Sequence, residues 1–214
     1  PMPTLPAERI SELLQPFVHG SLRVTDTSAR QLSTYLDLLV RWNARVSLTS
    51  IRSPEEIVLR HFGEGVFTAA ALRDRLRPAA ELLDFGSGAG FPGLPIQIMI
   101  PEIRVTVAES QARKAAFLQE VVRTLGLGAE VWSRRVEEMP ADRRFDVVTM
   151  RAVDRMGKMQ ELAGERVRPG GWLARLVGGS REELDGELWA IPGSERRWLA
   201  ICSVPRGTQP SDRV

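Results

Sequence analysis

The sequence predicts an α/β fold: a doubly wound, mostly parallel sheet with an antiparallel last strand, preceded by a helical N-terminal cap. Two observations lead to this prediction. From about residue 80, strand-like and helix-like stretches alternate, which is typical of βαβ units and a parallel sheet. Near the end, two strand-like stretches flank a turn at residues 192–195, and they predict a closing hairpin.

The first 75 residues are predicted to be helical. Apolar residues recur at intervals of three and four from Leu5 to Phe17. Thr25 begins a run of capping residues before a long amphipathic stretch, and Ser53 precedes Pro54 and two acids, which is a typical helix start. We therefore expect residues 1–75 to form a helical cap and residues 76–214 to form the second domain.

The second domain is predicted to supply the sheet. Strands are expected at residues 81–85, 103–109, 129–133, 145–150 and 172–177, with helices at residues 92–99, 111–125 and 154–167. The closing hairpin is expected to use residues 187–191 and 197–204. The parallel strands would all end at one edge of the sheet, where α/β proteins bind their ligands.

Composition limits the possible functions. The chain has 214 residues, 43% of them hydrophobic, and no apolar run long enough to span a bilayer. Cys202 is the only cysteine, which excludes an intramolecular disulfide and a cysteine metal cluster and fits a reducing compartment. The net charge of +2 argues only weakly for nucleic acid, although nearly all the bases are arginines, whose planar fork suits phosphates. We expect a cytoplasmic monomer that holds no metal ion.

A glycine-rich loop follows the first predicted strand and marks a candidate ligand site. Gly86, Gly88 and Gly90 would let the chain turn sharply and let a ligand approach bare backbone. Glu109 lies 23 positions after Gly86, at the end of the second predicted strand. A carboxylate at about that distance can accept hydrogen bonds from both hydroxyls of a ribose, so the pattern predicts a ligand that contains one.

The spacing of the loop narrows the choice of ligand. A dinucleotide fingerprint requires a glycine at position 91, where this chain has Phe91, and no Gly-Lys-Ser/Thr run is present for a phosphate-binding P-loop. The remaining pattern, with Asp84 two residues before the first glycine, suits S-adenosylmethionine, which has a ribose and an adenine but no phosphate. The alternative is a tight strand-to-helix turn that binds no ligand.

Several segments, in order along nearly the whole chain, resemble the RsmG (GidB) family of bacterial methyltransferases. They are Tyr35 with Trp42 and Asn43, residues 47–51, 54–57, 60–61, 83–93, 135–137, 145–152 and 168–171, and Pro205 with Arg206. The resemblance implies a Rossmann-like class I methyltransferase fold. It also implies transfer of a methyl group from S-adenosylmethionine to guanine N7 of 16S small-subunit ribosomal RNA, free or in an assembling 30S particle.

The resemblance further implies which residues contact the cofactor: the loop with Gly86, Gly88 and Gly90, then Phe91, Val136, Glu137 and Arg151. Phe91 could form a wall of the pocket, and Glu137 could accept from the adenine amine. Arg151 ends the fourth predicted strand, where its partner could be the cofactor carboxylate, an RNA phosphate or a nearby acid. Guanine N7 has a free lone pair, so we assign no general base and only Arg151 as a positioning candidate.

The chain departs from the family pattern at four places, one of which is residues 180–186, a short segment where the family has a helix. Ser47 replaces an asparagine, Gly63-Glu64-Gly65 replaces an acid followed by serine and leucine, and Val177 replaces a lysine. We expect these changes to affect the RNA side more than the cofactor loop, with Val177 at the catalytic edge of the sheet, and we expect the missing lysine at position 177 to weaken the binding of RNA. Two alternative functions stay open, a methyltransferase for another substrate and a cofactor-binding protein without catalysis. His61 is expected to be a cap histidine that donates to backbone, in preference to a catalytic group.

Overall fold

The computed structural model describes residues 2–151 and 157–205; Ala152, Arg206 and the start of the helix expected at residues 154–167 lie outside them. The N-terminal part contains α1 (Ala7–Leu14), α2 (Asp26–Asn43), α3 (Pro54–Ile57) and α4 (Gly63–Leu72), with 3-10 turns at Gln15–Phe17 and Arg73–Arg75. A π-helical turn, Val58–Phe62, joins α3 to α4. The two predicted caps are confirmed, because the side chains of Thr25 and Ser53 accept from the N–H groups of Ser28 and Glu56.

Seven strands form one sheet: β1 (Glu81–Phe85), β2 (Arg104–Ala108), β3 (Glu130–Trp132), β4 (Phe145–Arg151), β5 (Val167–Gly178), β6 (Glu187–Ala190) and β7 (Arg197–Ser203). Their order is β3-β2-β1-β4-β5-β7-β6; the first five are parallel, and β7 runs antiparallel to β5 and β6. Helices α5 (Gly93–Met99), α6 (Ala112–Leu125) and α7 (Gly157–Glu165) connect parallel strands. The predicted doubly wound sheet with an antiparallel closing hairpin is confirmed.

The start of β5 differs from the prediction. β5 begins at Val167, so the helix expected at residues 154–167 cannot reach its last residue, and the strand starts before residue 172. This early part pairs irregularly with β4, because the register shifts between Phe145 and Val147 and Gly170 has a φ of +82°. Proline and glycine are depleted in strands. Pro169, Gly170 and Gly171 therefore argued against a strand in the first part of β5.

The sheet separates two hydrophobic layers. On one face, Leu82 and Val147 pack with buried apolar side chains of α1, α2, α4, α5 and α6. On the other face, Leu83 and Val148 pack with Ala163 of α7 and with a 3-10 turn at Val136–Glu138. The N-terminal helices therefore share one core with the sheet. No helix of the described residues combines the length and the apolar character needed to cross a membrane.

The cap contacts the glycine loop through Tyr35 of α2. Tyr35 is fully buried, its hydroxyl donates to the carbonyl of Ala89, and its ring stacks on Phe91 with the ring centroids 5.5 Å apart. Gly90 has a φ of +94°, and a Cβ atom there would lie 2.3 Å from the Tyr35 hydroxyl oxygen. Glycine is thus required at position 90 by the backbone conformation and by the close approach of the cap.

Packing accounts for the glycines at positions 63 and 65. A Cβ atom at Gly63 would lie 2.6 Å from the ring of Phe17, and one at Gly65 would lie 2.6 Å from Pro95. Both glycines are buried in α4, and Val177 is buried in β5. The expectation that the two glycines affect the RNA side was therefore wrong, whereas Val177 lies at the carboxyl end of β5, the edge where it was expected. The glycines let α4 approach its neighbours closely.

Replacing Gly90 by alanine should destabilise the fold more than the same change at Gly126, the C-cap of α6. At Gly126 φ is +63° and a Cβ atom would meet no atom within 4 Å. Both changes strain a left-handed backbone at a cost of about 1–3 kcal/mol. Only Gly90→Ala also forces a Cβ atom against Tyr35, which should add about 1–3 kcal/mol. Urea denaturation measures both variants, and equal losses would contradict the close packing of the cap on the loop.

Candidate active site

The glycine loop lies at the carboxyl end of β1, beside the carboxyl end of β2. Gly86 and Gly88 have φ values of +68° and +58°, and a Cβ atom at either position would meet no atom within 4 Å. The space next to these two glycines is therefore open, so a ligand can approach their backbone. Gly90, by contrast, is buried against the cap.

Glu109 fixes the conformation of the loop. Its carboxylate accepts from the N–H of Gly88 at 3.0 Å and from the N–H of Gln111 at 2.7 Å. The residue is only 8% exposed. One carboxylate thus ties the loop to the start of α6. Each of its oxygens retains a further lone pair, so Glu109 can accept from ribose hydroxyls while it holds the backbone.

Asp84 lies behind the loop and is fully buried. Its carboxylate accepts from the N–H of Gly93 at 3.1 Å and from the hydroxyl of Thr149 at 2.8 Å. Burial raises the pKa of Asp84, and the hydrogen bonds from Thr149 and Gly93 oppose that rise. Asp84 therefore connects β1, β4 and the start of α5, and it supports the site without facing the open side of the loop.

A cleft of about 230 Å³ opens between the loop and the 3-10 turn Val136–Glu138. Its lining residues are Phe85, Gly86, Ala108, Ser110, Arg134, Arg135, Val136, Glu137 and Met159. The structure thus brings together three of the predicted cofactor residues, Gly86, Val136 and Glu137. No group of three or more His, Cys, Asp or Glu side chains within residues 2–151 and 157–205 is placed to hold a metal ion.

Phe91 and Arg151 lie outside the lining of this cleft, in a cluster under the cap. Phe91 is 4% exposed and stacks on His61 with the ring centroids 4.9 Å apart. The guanidinium of Arg151 lies 5.9 Å from the centre of the Phe91 ring. Arg151 Nη2 donates to the carboxylate of Glu64 at 2.6 Å and to Nδ1 of His61 at 3.0 Å. The sequence left three possible partners for Arg151: the cofactor carboxylate, an RNA phosphate or a nearby acid. In the structure its partner is a nearby acid, Glu64.

Glu64 and Arg197 are site residues that the sequence analysis missed. Glu64 is 7% exposed, and its two carboxylate oxygens bind Arg151 and Arg197. Arg197 begins β7 and pairs with Gly178 at the end of β5, so it lies at the same edge of the sheet as Arg151. The predicted hairpin could have indicated Arg197. Because β7 runs antiparallel to β5, its first residue lies at the edge of the sheet where β5 ends.

His61 is a neutral imidazole. Burial lowers its pKa to about 3, and the charges of Arg151, Arg60 and Arg197 act in the same direction. Arginine can only donate, so Nδ1 accepts from Arg151 while Nε2 carries the proton and donates to the Thr49 hydroxyl at 2.8 Å. The expectation that His61 donates to backbone was wrong, because its partner is a side chain. Its low pKa also removes it as a base near neutral pH.

His61 should make the stability of the protein depend on pH. Its pKa is about 3 in the folded chain and 6.5 without the fold. The unfolded state therefore binds more protons than the folded state between these pH values. The contribution of His61 to the free energy of unfolding is complete above about pH 6.5 and is lost as the pH falls towards 3. The slope is at most about 1.4 kcal/mol per pH unit.

Urea denaturation of the wild type and of His61→Gln, at a series of pH values from about 4 to 8, measures this contribution. The free energy of unfolding of the wild type minus that of the variant should rise up to about pH 6.5 and then stay constant. A difference that does not change with pH would show that His61 titrates normally.

Solved structures share this fold. The crystal structure of an RNA methyltransferase from Salinibacter ruber, in complex with S-adenosyl-L-homocysteine, is similar with a TM-score of 0.54. The similarity covers 67% of this chain and 92% of that one, at 15% sequence identity. At this identity the likeness establishes the fold alone.

Sequence comparison establishes the family. The model of the GidB family, described as rRNA small subunit methyltransferase G, matches residues 28–187. Ribosomal RNA small subunit methyltransferase G of Roseiflexus castenholzii (strain DSM 13941 / HLO8) is 40% identical over 213 residues, covering 90% of each chain. The protein of that name from Stenotrophomonas maltophilia (strain K279a) is 37% identical over 187 residues, covering 87% of this chain and 85% of its own. With its open glycine loop and adjoining cleft, the chain belongs to this family of S-adenosylmethionine-dependent ribosomal RNA methyltransferases.

Proposed function

We propose that the protein transfers the methyl group of S-adenosylmethionine to N7 of a guanine in 16S small-subunit ribosomal RNA. The observation that carries the proposal is an open glycine backbone beside a buried carboxylate, at a sheet edge rich in arginine. Such an edge can hold a ribose-containing cofactor and a polyanionic substrate side by side.

The residues around the loop fit S-adenosylmethionine. A Cβ atom at Gly86 or Gly88 would occupy the open space that a cofactor needs. Glu109 would hold the ribose hydroxyls, while Val136 and Glu137 across the cleft would contact the adenine through an apolar side chain and a hydrogen-bond acceptor. S-adenosylmethionine supplies an electrophilic methyl group when bound there.

Gly90, Phe91 and Arg151 have indirect roles in this proposal. Gly90 and Phe91 shape the loop from its buried side, through their contacts with the cap. Arg151 is a positioning residue. To reach the cofactor carboxylate it would have to release Glu64, and Glu64 would then remain paired with Arg197.

The reaction requires no general base from the chain. N7 of guanine has a free lone pair, so no side chain has to remove a proton before attack. The neutral state of His61 and its two hydrogen bonds agree with this requirement. The residues of the site must instead hold the guanine in line with the methyl group and exclude water.

The charge of the sheet edge favours RNA over a small substrate. Arg134 and Arg135 are exposed and line the cleft. Arg151 ends β4 and Arg197 begins β7, on either side of β5 at the same edge of the sheet. Arg197 there provides a cation that Val177 does not. Cations along an edge release counterions when a phosphate backbone binds, which drives association.

The proposal has three further parts. The chain divides into a cap, residues 1–75, and a methyltransferase domain, residues 76–214, which share one core and so should unfold together. The substrate is the RNA as presented in an assembling 30S particle, because a folded context exposes the target base. The enzyme acts as a monomer in the cytoplasm, where that particle assembles.

Incubation of the protein and S-adenosylmethionine with 30S particles from a strain that lacks its gene should yield about one 7-methylguanosine per 16S RNA. Particles from the parent strain, already modified, should accept no methyl group and serve as the control. Mass spectrometry of the digested nucleosides identifies the product. A methyl group on another atom would contradict the N7 assignment, and bound cofactor without transfer to any RNA would favour the non-catalytic alternative.

A further inference from the structure

A second basic surface lies where α2 meets α6. The two helices pack antiparallel, because Gln31 early in α2 donates to the carbonyl of Leu125 at the end of α6, and Trp42 late in α2 donates to Glu120. The end of α2 therefore lies beside the middle of α6, near Phe117 and Glu120. A groove of about 710 Å³ opens there, and its polar and aromatic lining consists of Arg41, Trp42, Arg45, Arg113 and Glu120.

The groove has an excess of positive charge. Glu120 accepts from Arg41 at 2.8 Å with one oxygen and from the indole N–H of Trp42 at 2.9 Å with the other. Arg45 and Arg113 are exposed and have no acidic partner among the residues that the structure describes. Three arginines and one glutamate leave the groove with a net charge of +2. Two of its cations are thus available to a ligand.

The positive charge of Arg113 lies at the end of α6 where the helix dipole is also positive, which is unfavourable. It stands in the first turn of α6, which contains no acid and where the free N–H groups already carry partial positive charge. A bound anion would balance both charges. Trp42 is half-buried, and the centroid of its ring lies 5.7 Å from that of Phe117. It adds an aromatic surface of the kind on which nucleic-acid bases stack.

We infer that this groove binds the ribose-phosphate backbone of the RNA next to the target base; the inference rests on the proposed function. Only three positions of the chain separate the lining of the cleft from that of the groove. Ser110 lines the cleft, the N–H of Gln111 donates to Glu109, and Arg113 lies in the following helical turn. An RNA strand whose target base lies beside the bound cofactor can therefore continue past the cleft to Arg113 and Arg45. Phosphates match these cations, and the indole suits a base.

The test compares R45Q/R113Q with R30Q/R104Q. The control removes the same number of charges from two other exposed arginines, Arg30 early in α2 and Arg104 at the amino end of β2. Binding of protein-free small-subunit ribosomal RNA is measured over a range of salt concentrations, and calorimetry measures the affinity for S-adenosylmethionine.

We expect R45Q/R113Q to raise the Kd for RNA about tenfold at low salt. The slope of log K against log salt concentration should become shallower by about 1.4, since each contact to a single-stranded backbone contributes about 0.7. R30Q/R104Q should retain the wild-type slope. All three proteins should bind S-adenosylmethionine equally well, because neither pair of arginines lines the cleft.

Equal Kd values and slopes for the two double variants would overturn the inference, as would a loss of S-adenosylmethionine affinity in R45Q/R113Q alone. If that variant does not fold, R113Q decides the question with an expected slope change of about 0.7. A separate measurement, of methyl transfer, shows whether the proposed function fails. A wild-type protein that binds the RNA but transfers no methyl group to guanine N7 of unmodified 30S particles would refute the reaction, while the slopes would still decide the role of the groove.

Discussion

Two buried carboxylates, Asp84 and Glu109, hold the glycine loop, and the geometry of the site depends on them. Asp84 ties the start of α5 to β1 and β4 through Gly93 and Thr149, and Glu109 ties Gly88 to the start of α6. Both carboxylates accept backbone N–H groups where little water can compete, so removing either one would leave buried donors without partners. The loop is therefore held in one conformation by the chain itself, and such preorganisation reduces the entropic cost of binding a ligand.

The cap completes this arrangement from the other side of the loop. Tyr35 fixes the carbonyl of Ala89 and stacks on Phe91, and the neutral ring of His61 stacks on the same phenylalanine. Glu64, also in the cap, joins Arg151 of β4 to Arg197 of β7. Because the cap and the sheet share one core, a surface on α2 is held in a defined position relative to the cleft. The groove between α2 and α6 is therefore held at a fixed position relative to the cleft, as a substrate-binding surface requires.

Local sequence patterns predicted much of the fold and part of the site. Strands β1 to β4 agree with the prediction to within one residue at each end, because each is a short apolar run bounded by turn residues. The contact between the glycine loop and Glu109 could be predicted for the same reason: both lie within one βαβ unit. The early start of β5 was missed, since proline and glycine hide a bulged strand.

The missing parts of the site depend on contacts between distant segments. Glu64 and Arg197 are 133 positions apart in the chain, and no local pattern reports their pairing. Phe91 adjoins the loop in sequence, yet the apolar side chains of the cap bury it, so it does not line the cleft. Gly63 and Gly65 resembled changes on a substrate surface, whereas their neighbours Phe17 and Pro95 show that they serve helix packing.

We expect the bare backbone at Gly88 to receive S-adenosylmethionine. Calorimetric titration of this cofactor into the wild type, Gly88→Leu and Gly126→Leu tests it directly. Both glycines have positive φ values and open surroundings, but only Gly88 is bound by Glu109 at the cleft. We expect Gly88→Leu to weaken the affinity about tenfold or more, because the side chain fills the space for the ligand, while Gly126→Leu retains the wild-type value. Equal affinities of all three proteins would contradict the claim.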